Sequence, residues 1–162
     1  LKINLKTTLH TALPMPLRRL IWTSLFLFTL TMIYGGFVAG LKAGLVYNTF
    51  PTMNGQWIPG ELFTPVFNIL NLACEPACVQ WVHRCLAILT VACVCAFQGY
   101  TSRVTDAQKR WIYISAGVVI IQLALGIITL LTHLNILMAL AHQAWALVLC
   151  GVLVRLAYEA KN

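Results

Sequence analysis

The chain has 162 residues, of which 60% are hydrophobic and only 9% charged, and its mean hydropathy is +0.82. A soluble globular domain carries about 25% charged residues, so composition excludes that class and indicates an integral membrane protein. The formal net charge of +7 does not indicate nucleic-acid binding, because the basic residues mark one side of a membrane rather than a patch.

Taken in chain order, a basic N-terminal segment with His10, Pro14, Pro16 and Arg18-Arg19 precedes the first apolar run, residues 20–43. His10 reads as an ordinary residue of that segment. It contains no secretory signal with a cleavage site, and the first residue is Leu rather than Met, as expected of a piece of a longer chain. The second run is 79–100, the third 111–132 and the fourth 136–158. Each is near the roughly 20 residues that cross a bilayer as a helix, and none alternates with period two as a barrel strand does. The expected fold is all-α: one membrane domain over 1–162, a four-helix bundle.

Lysine and arginine orient the spans. Lys2, Lys6, Arg18, Arg19, Arg103, Lys109, Arg110, Arg155 and Lys161 fall on one side, and the opposite connections, 45–78 and 133–135, contain neither residue. Both termini are therefore expected to face the cytoplasm, or the matrix in a mitochondrial membrane. The long loop 45–78 holds Tyr47, Phe50, Trp57, Phe63 and Phe67 between turn formers such as Pro51, Gly55, Pro59 and Pro65. Such aromatics argue against disorder. The expectation is a lid on the membrane surface with a short amphipathic helix near 61–72.

Two histidines lie inside spans at one depth. His83 is about five residues into the second and His142 about six into the fourth, which at ~1.5 Å per residue is roughly 7–9 Å below the outer surface. Two imidazoles at matching depth on separate helices suit a single heme iron with two axial ligands. A zinc site needs further ligands, and no third His, Asp or Glu shares that depth. Arg84, costly in lipid unless paired, suits a heme propionate. The competing reading makes each histidine a polar bundle residue bonding across helices. His133 reads as a solvated turn residue.

Cys74 and Cys78 lie on the outer side, where a disulfide is expected, against the alternative of two free thiols at a helix start. Cys85, Cys93, Cys95 and Cys150 read as small packing residues. Gly36, Gly40 and Gly44 recur every fourth residue, either for close helix packing or as a face for a flat macrocycle, and Gly126 is similarly suited to packing.

These residues together resemble the heme A synthase family. The likeness runs through Gly35-Gly36-Phe37-Val38-Ala39-Gly40-Leu41-Lys42-Ala43-Gly44-Leu45-Val46-Tyr47-Asn48-Thr49-Phe50-Pro51, Met53, Trp57-Ile58-Pro59, Val79-Gln80-Trp81-Val82-His83-Arg84, Leu125-Gly126-Ile127 and Leu140-Ala141-His142-Gln143. The resemblance implies the C-terminal half of an eight-span protein built as two similar four-helix halves, which oxidises a methyl group of heme O to the formyl group of heme A for cytochrome oxidase. It implies heme b between His83 and His142, and it brings a cysteine pair in the outer loop, where Cys74 and Cys78 fall. The implied partners are heme, an N-terminal homologous half or a partner subunit, membrane lipid and, as a further candidate, heme O synthase. The implied location is the bacterial inner membrane, with the mitochondrial inner membrane as alternative. The family's N-terminal half carries a glutamate three residues before its first histidine. Here that position is Gln80, which cannot take up a proton as a carboxylate can. No catalytic residue is therefore expected in this segment, whose implied part is to bind heme and pass electrons. A stand-alone membrane cytochrome b and a cofactor-free structural subunit are the alternatives.

Overall fold

The computed structural model describes residues 12–63 and 68–161. His10, Lys2, Lys6, Pro65 and Phe67 lie outside the described residues. Helix α1 spans Met15–Gly40, α2 Asn71–Cys74, α3 Pro76–Ala96, α4 Asp106–Leu131 and α5 Ile136–Lys161. The last turns of α3 continue as a 3-10 helix, Phe97–Arg103. The fold is all-α, no strand forms among the described residues, and four helices are long and apolar enough to cross a membrane.

Polar residues at the helix starts carry the helices beyond their apolar runs. Pro16 occupies the first turn of α1, where a missing N–H costs nothing. Glu75 caps α3 by accepting from the Cys78 amide at 2.8 Å, with Pro76 behind it. Thr105 and Gln108 form a reciprocal capping box on α4. Asn135 Oδ1 accepts from the amides of Leu137 and Met138 at the start of α5.

The four long helices close into a ring. Helix α1 packs on α3, α3 on α4, α4 on α5 and α5 back on α1, the α1–α3 and α4–α5 pairs being the most intimate. Helices α3 and α5 thus stand at opposite corners, with α1 and α4 at the other two. The bundle has a loop end, bearing residues 41–75, and a terminal end opposite it. The main apolar cluster lies toward the terminal end, with Leu17, Ile21 and Phe28 of α1, Val94 and Phe97, Ile112 and Val119 of α4, and Leu149, Leu153 and Leu156 of α5. A smaller buried set, Ala43, Met53, Ala77, Cys78 and Val79, lies where the loop meets α3. Arg155 closes that end, 2.7 Å from Glu159 and stacked 5.6 Å from the Trp111 ring centre.

Toward the loop end the pattern changes. No residue is buried over 29–40 of α1, 81–89 of α3, 120–128 of α4 or 136–148 of α5. Each stretch makes at least two helical turns, so every face of each helix is represented, including the one toward the bundle axis. A bundle that filled its own interior would bury one stripe of each helix. The loop half is therefore less tightly packed than the terminal half.

The loop folds over that end. Asn54 and Gly55, with φ of 50° and 86°, make a two-residue turn that Met53 and Gln56 close with mutual backbone bonds, the conformation for which Asn-Gly is the preferred pair. Met53 is buried beneath it. Tyr47 donates its hydroxyl to both Glu61 oxygens at 3.0 and 3.1 Å, and burial, with the carboxylate beside it, pushes the phenol above its ordinary value. In place of the helix expected over 61–72, the described residues form a 3-10 turn, Gly60–Phe63, and the short α2, which starts where Asn68 takes the Leu70 amide.

The cysteine pair corrects an expectation. Cys74 and Cys78 are both free thiols here, Cys74 exposed and Cys78 buried. Glu75, extended at φ −90° and ψ 121°, breaks the chain between α2 and α3, so one thiol ends a surface turn while the other faces into the first turn of α3. A maleimide added without reductant is expected to modify Cys74 and spare Cys78, as read by peptide mapping. Protection of both, relieved by reductant, would restore the disulfide.

Candidate functional site

His83 is seven residues from the start of α3 at Pro76, and His142 is six from the start of α5 at Ile136. The opposite corners of the ring thus carry the two imidazoles at one level, within the less tightly packed half. Among the described residues, no three of His, Cys, Asp and Glu gather into a metal cluster.

Each imidazole sits against a glycine of the neighbouring helix. A Cβ on Gly35 of α1 would lie 3.3 Å from His83 Cε1, and one on Gly126 of α4 would lie 2.9 Å from His142 Cε1. The absence of a side chain at Gly35 has a second effect. The carbonyl of residue i in a helix points toward residue i+4, and Gly35 is four residues after Thr31. Without a Cβ there, the Thr31 carbonyl is open from the side, and His83 Nδ1 lies 3.1 Å from it. A carbonyl only accepts, so Nδ1 carries the proton and Nε2 keeps a lone pair. Neighbouring hydroxyls join the same two helices, Thr31 Oγ1 and Thr90 Oγ1 being 3.3 Å apart.

His142 is held less firmly. Its Nε2 is 3.5 Å from Nε2 of Gln122, while its Nδ1 and Gln122 Oε1 are buried without a hydrogen-bond partner. The neighbouring turn of α5 is tied more directly, by Trp145 Nε1 donating to the Val118 carbonyl at 2.9 Å.

Arg84 is drawn to the loop. Its Nη2 donates to the Tyr47 carbonyl at 3.1 Å, and its Nη1 reaches the Thr52 and Pro51 carbonyls at 3.3 and 3.5 Å. Gln80, one turn earlier, gives a second donor to the same Tyr47 carbonyl at 2.9 Å, and Trp81 Nε1 donates to the Trp57 carbonyl at 3.1 Å. The helical turns that carry His83 thus also hold the loop down. Arg84 Nε is buried with no partner, so one donor of the guanidinium is unspent.

Sequence reasoning picked out both histidines and Arg84. It missed Gly35, Thr31 and Gln122 as their neighbours, and the Gln80–Trp81 contribution to the loop. The spacing Thr31–Gly35 is the one signal that pointed to an open carbonyl. Gly36 and Gly40, favoured from their spacing, have nothing within 4 Å of an added Cβ, and Gly44 instead receives the side chain of Leu134 from the α4–α5 turn.

A ring of four long apolar helices defines a multi-pass helical membrane protein, and the two imidazoles at opposite corners are its candidate site. Residues 1–154 match the COX15-CtaA family, described as cytochrome oxidase assembly protein, and the chain belongs to that family. Similar curated proteins include the heme A synthase of Wolbachia pipientis subsp. Culex pipiens (strain wPip), 41% identical over 131 residues, covering 81% of this chain and 38% of that protein. The heme A synthase of Wolbachia pipientis wMel is 44% identical over 127 residues, covering 78% and 35%. That of Rhodospirillum centenum is 42% identical over 136 residues, covering 82% and 36%. The chain thus spans little more than a third of the length of these relatives. No solved structure gave a significant match.

Proposed function

We propose that this chain is the heme-binding half of a heme A synthase, with His83 and His142 as the two axial ligands of a heme b. The observation that supports this best is the pair of imidazoles at one level on opposite corners of the bundle, in the half where these helix stretches bury no residue fully. The residues fit such a group in three further ways. Gly35 and Gly126 make room where side chains would crowd the imidazoles. The Thr31 carbonyl fixes the His83 proton on Nδ1, which presents the lone pair of Nε2 as a metal ligand requires. Arg84 Nε and His142 Nδ1 are buried polar atoms still without partners. Bound there, heme supplies one-electron redox chemistry.

The chain's own residues then bind, orient and cover. His83 and His142 would ligate, Arg84 Nε would be the donor left for a propionate, and the loop, held down by Gln80, Trp81 and Arg84, would act as a lid. Gln80 offers an amide where a proton-accepting carboxylate would serve catalysis, and its amide donates to the loop. Methyl oxidation of heme O to heme A, for cytochrome oxidase, belongs in this reading to the complete protein, with an N-terminal homologous half or partner subunit. Heme O synthase would be the supplier of substrate. The basic terminal end faces the cytoplasm of a bacterial inner membrane, as Lys and Arg placement favours.

The test is a reduced-minus-oxidised spectrum of the purified chain with a pyridine hemochrome assay. A low-spin b-type spectrum is the expected result. A chain that stays colourless with added hemin would sink the heme reading and return both histidines to packing.

A further inference from the structure

The two histidines are not equivalent. His83 has a ring nitrogen bonded to a backbone carbonyl, which cannot leave without unwinding α1. The turns around it are tied to the loop by Gln80, Trp81 and Arg84. His142 has only a 3.5 Å contact to a side-chain amide, with an unpartnered acceptor on that amide and an unpartnered nitrogen on its own ring. Turning the Gln122 amide over exchanges its nitrogen for its oxygen and sets an acceptor against the imidazole. With that oxygen accepting from an Nε2–H, His142 gains the second hydrogen bond that metal-bound histidines usually have, and its unpartnered Nδ1 is left with the lone pair for a metal.

Resting on the bis-histidine reading above, we propose that His83 is the permanent ligand and His142 the exchangeable one, with Gln122 as the positioning residue that decides how firmly His142 stays bound. An incoming neutral ligand such as carbon monoxide, on the reduced protein, then takes the coordination position of His142. The iron–nitrogen bond to His142 breaks, one iron–carbon bond forms, and the lone pair returns to the imidazole with no change in electron count. His83 keeps its bond throughout.

The experiment uses the full chain loaded with heme b and reads spin state by absorption and resonance Raman, and heme loss by transfer to apomyoglobin. The unsubstituted chain is expected to be low-spin. His142→Ala is expected to keep its heme in a five-coordinate, high-spin form on His83. His83→Ala is expected to lose heme at least about tenfold faster than His142→Ala, the scale on which supporting contacts alter metal sites. Gln122→Leu leaves both ligands in place and is expected to raise carbon monoxide affinity about tenfold, while Gln122→Glu, an acceptor that cannot be reversed, lowers it. Equal heme loss from the two alanine variants would overturn the inequality while the low-spin spectrum kept the bis-histidine reading. Should the alanine variants fail to fold, unchanged carbon monoxide affinity in Gln122→Leu would overturn it instead. Absence of a low-spin spectrum in the unsubstituted chain would overturn the bis-histidine reading itself.

Discussion

Gly126→Val is expected to convert the heme-loaded chain from low-spin to high-spin. Even the first carbon of the new side chain would stand 2.9 Å from His142 Cε1, inside van der Waals contact, and valine adds two methyl groups beyond it. Forcing extra carbons into a fitted contact costs about 1–3 kcal/mol. The imidazole, held by no strong hydrogen bond, is the part that yields. Gly117→Val, on the same helix but with nothing within 4 Å of its added Cβ, is the control and is expected to leave the spectrum unchanged. Gly35→Val is expected to remove heme altogether, because a Cβ there meets the His83 ring and covers the Thr31 carbonyl that orients it. If Gly126→Val and Gly117→Val gave the same low-spin spectrum, the glycine seat would have no part in holding His142.

The second large effect is expected at Arg84. Arg84→Leu removes donors from the carbonyls of Tyr47, Pro51 and Thr52 together. Hydrogen bonds from a charged donor are worth about 1.5–3 kcal/mol each. Two of these three are long, so roughly 2–4 kcal/mol of loop closure is at stake. Limited proteolysis should then cut within residues 47–57, where the unsubstituted chain resists. Arg84→Lys separates two roles. Lysine keeps the charge that a propionate needs but lacks the planar fork that spans two loop carbonyls. Cutting of Arg84→Lys at the rate of Arg84→Leu is the expected result. A loop as resistant in Arg84→Lys as in the unsubstituted chain would show that charge alone, and not the clamp, is what position 84 contributes.

How much of this was legible in the sequence depends on range. The four helices follow from local apolar runs and from caps such as Glu75-Pro76 and Thr105, so chain order alone exposes them. The shared level of His83 and His142 follows from counting residues into two helices that run the same way. The contacts of those imidazoles do not follow, because they depend on which helices are neighbours. Nothing local says that α3 lies beside α1 and α5 beside α4, and without that Gly35, Thr31 and Gln122 look like ordinary span residues. Arg84 was read toward a propionate because a buried charge needs a partner. The loop carbonyls that take most of its donors lie more than thirty residues away in sequence. The cysteine pair is expected to join because both lie on the outer side and the resemblance brings a pair there, while the turn at Glu75 that separates the two thiols is a backbone feature.

The division of the bundle into a filled terminal half and a less tightly packed loop half has a mechanical consequence. The filled half holds the main buried apolar cluster and needs nothing from the site, whereas the upper half is joined by the histidine contacts within the α1–α3 and α4–α5 pairs and buries little between those pairs. Hydrogen exchange should therefore show two cooperative units in one set of continuous helices. Amides around Leu149–Leu156 would be protected to the same degree with or without heme, and those around His83 and His142 would slow only on loading. A cut to the base, such as Leu153→Ala, would then lower the yield of folded chain at every level of heme supply. Defects nearer the histidines would vanish when heme is plentiful and return when it is scarce.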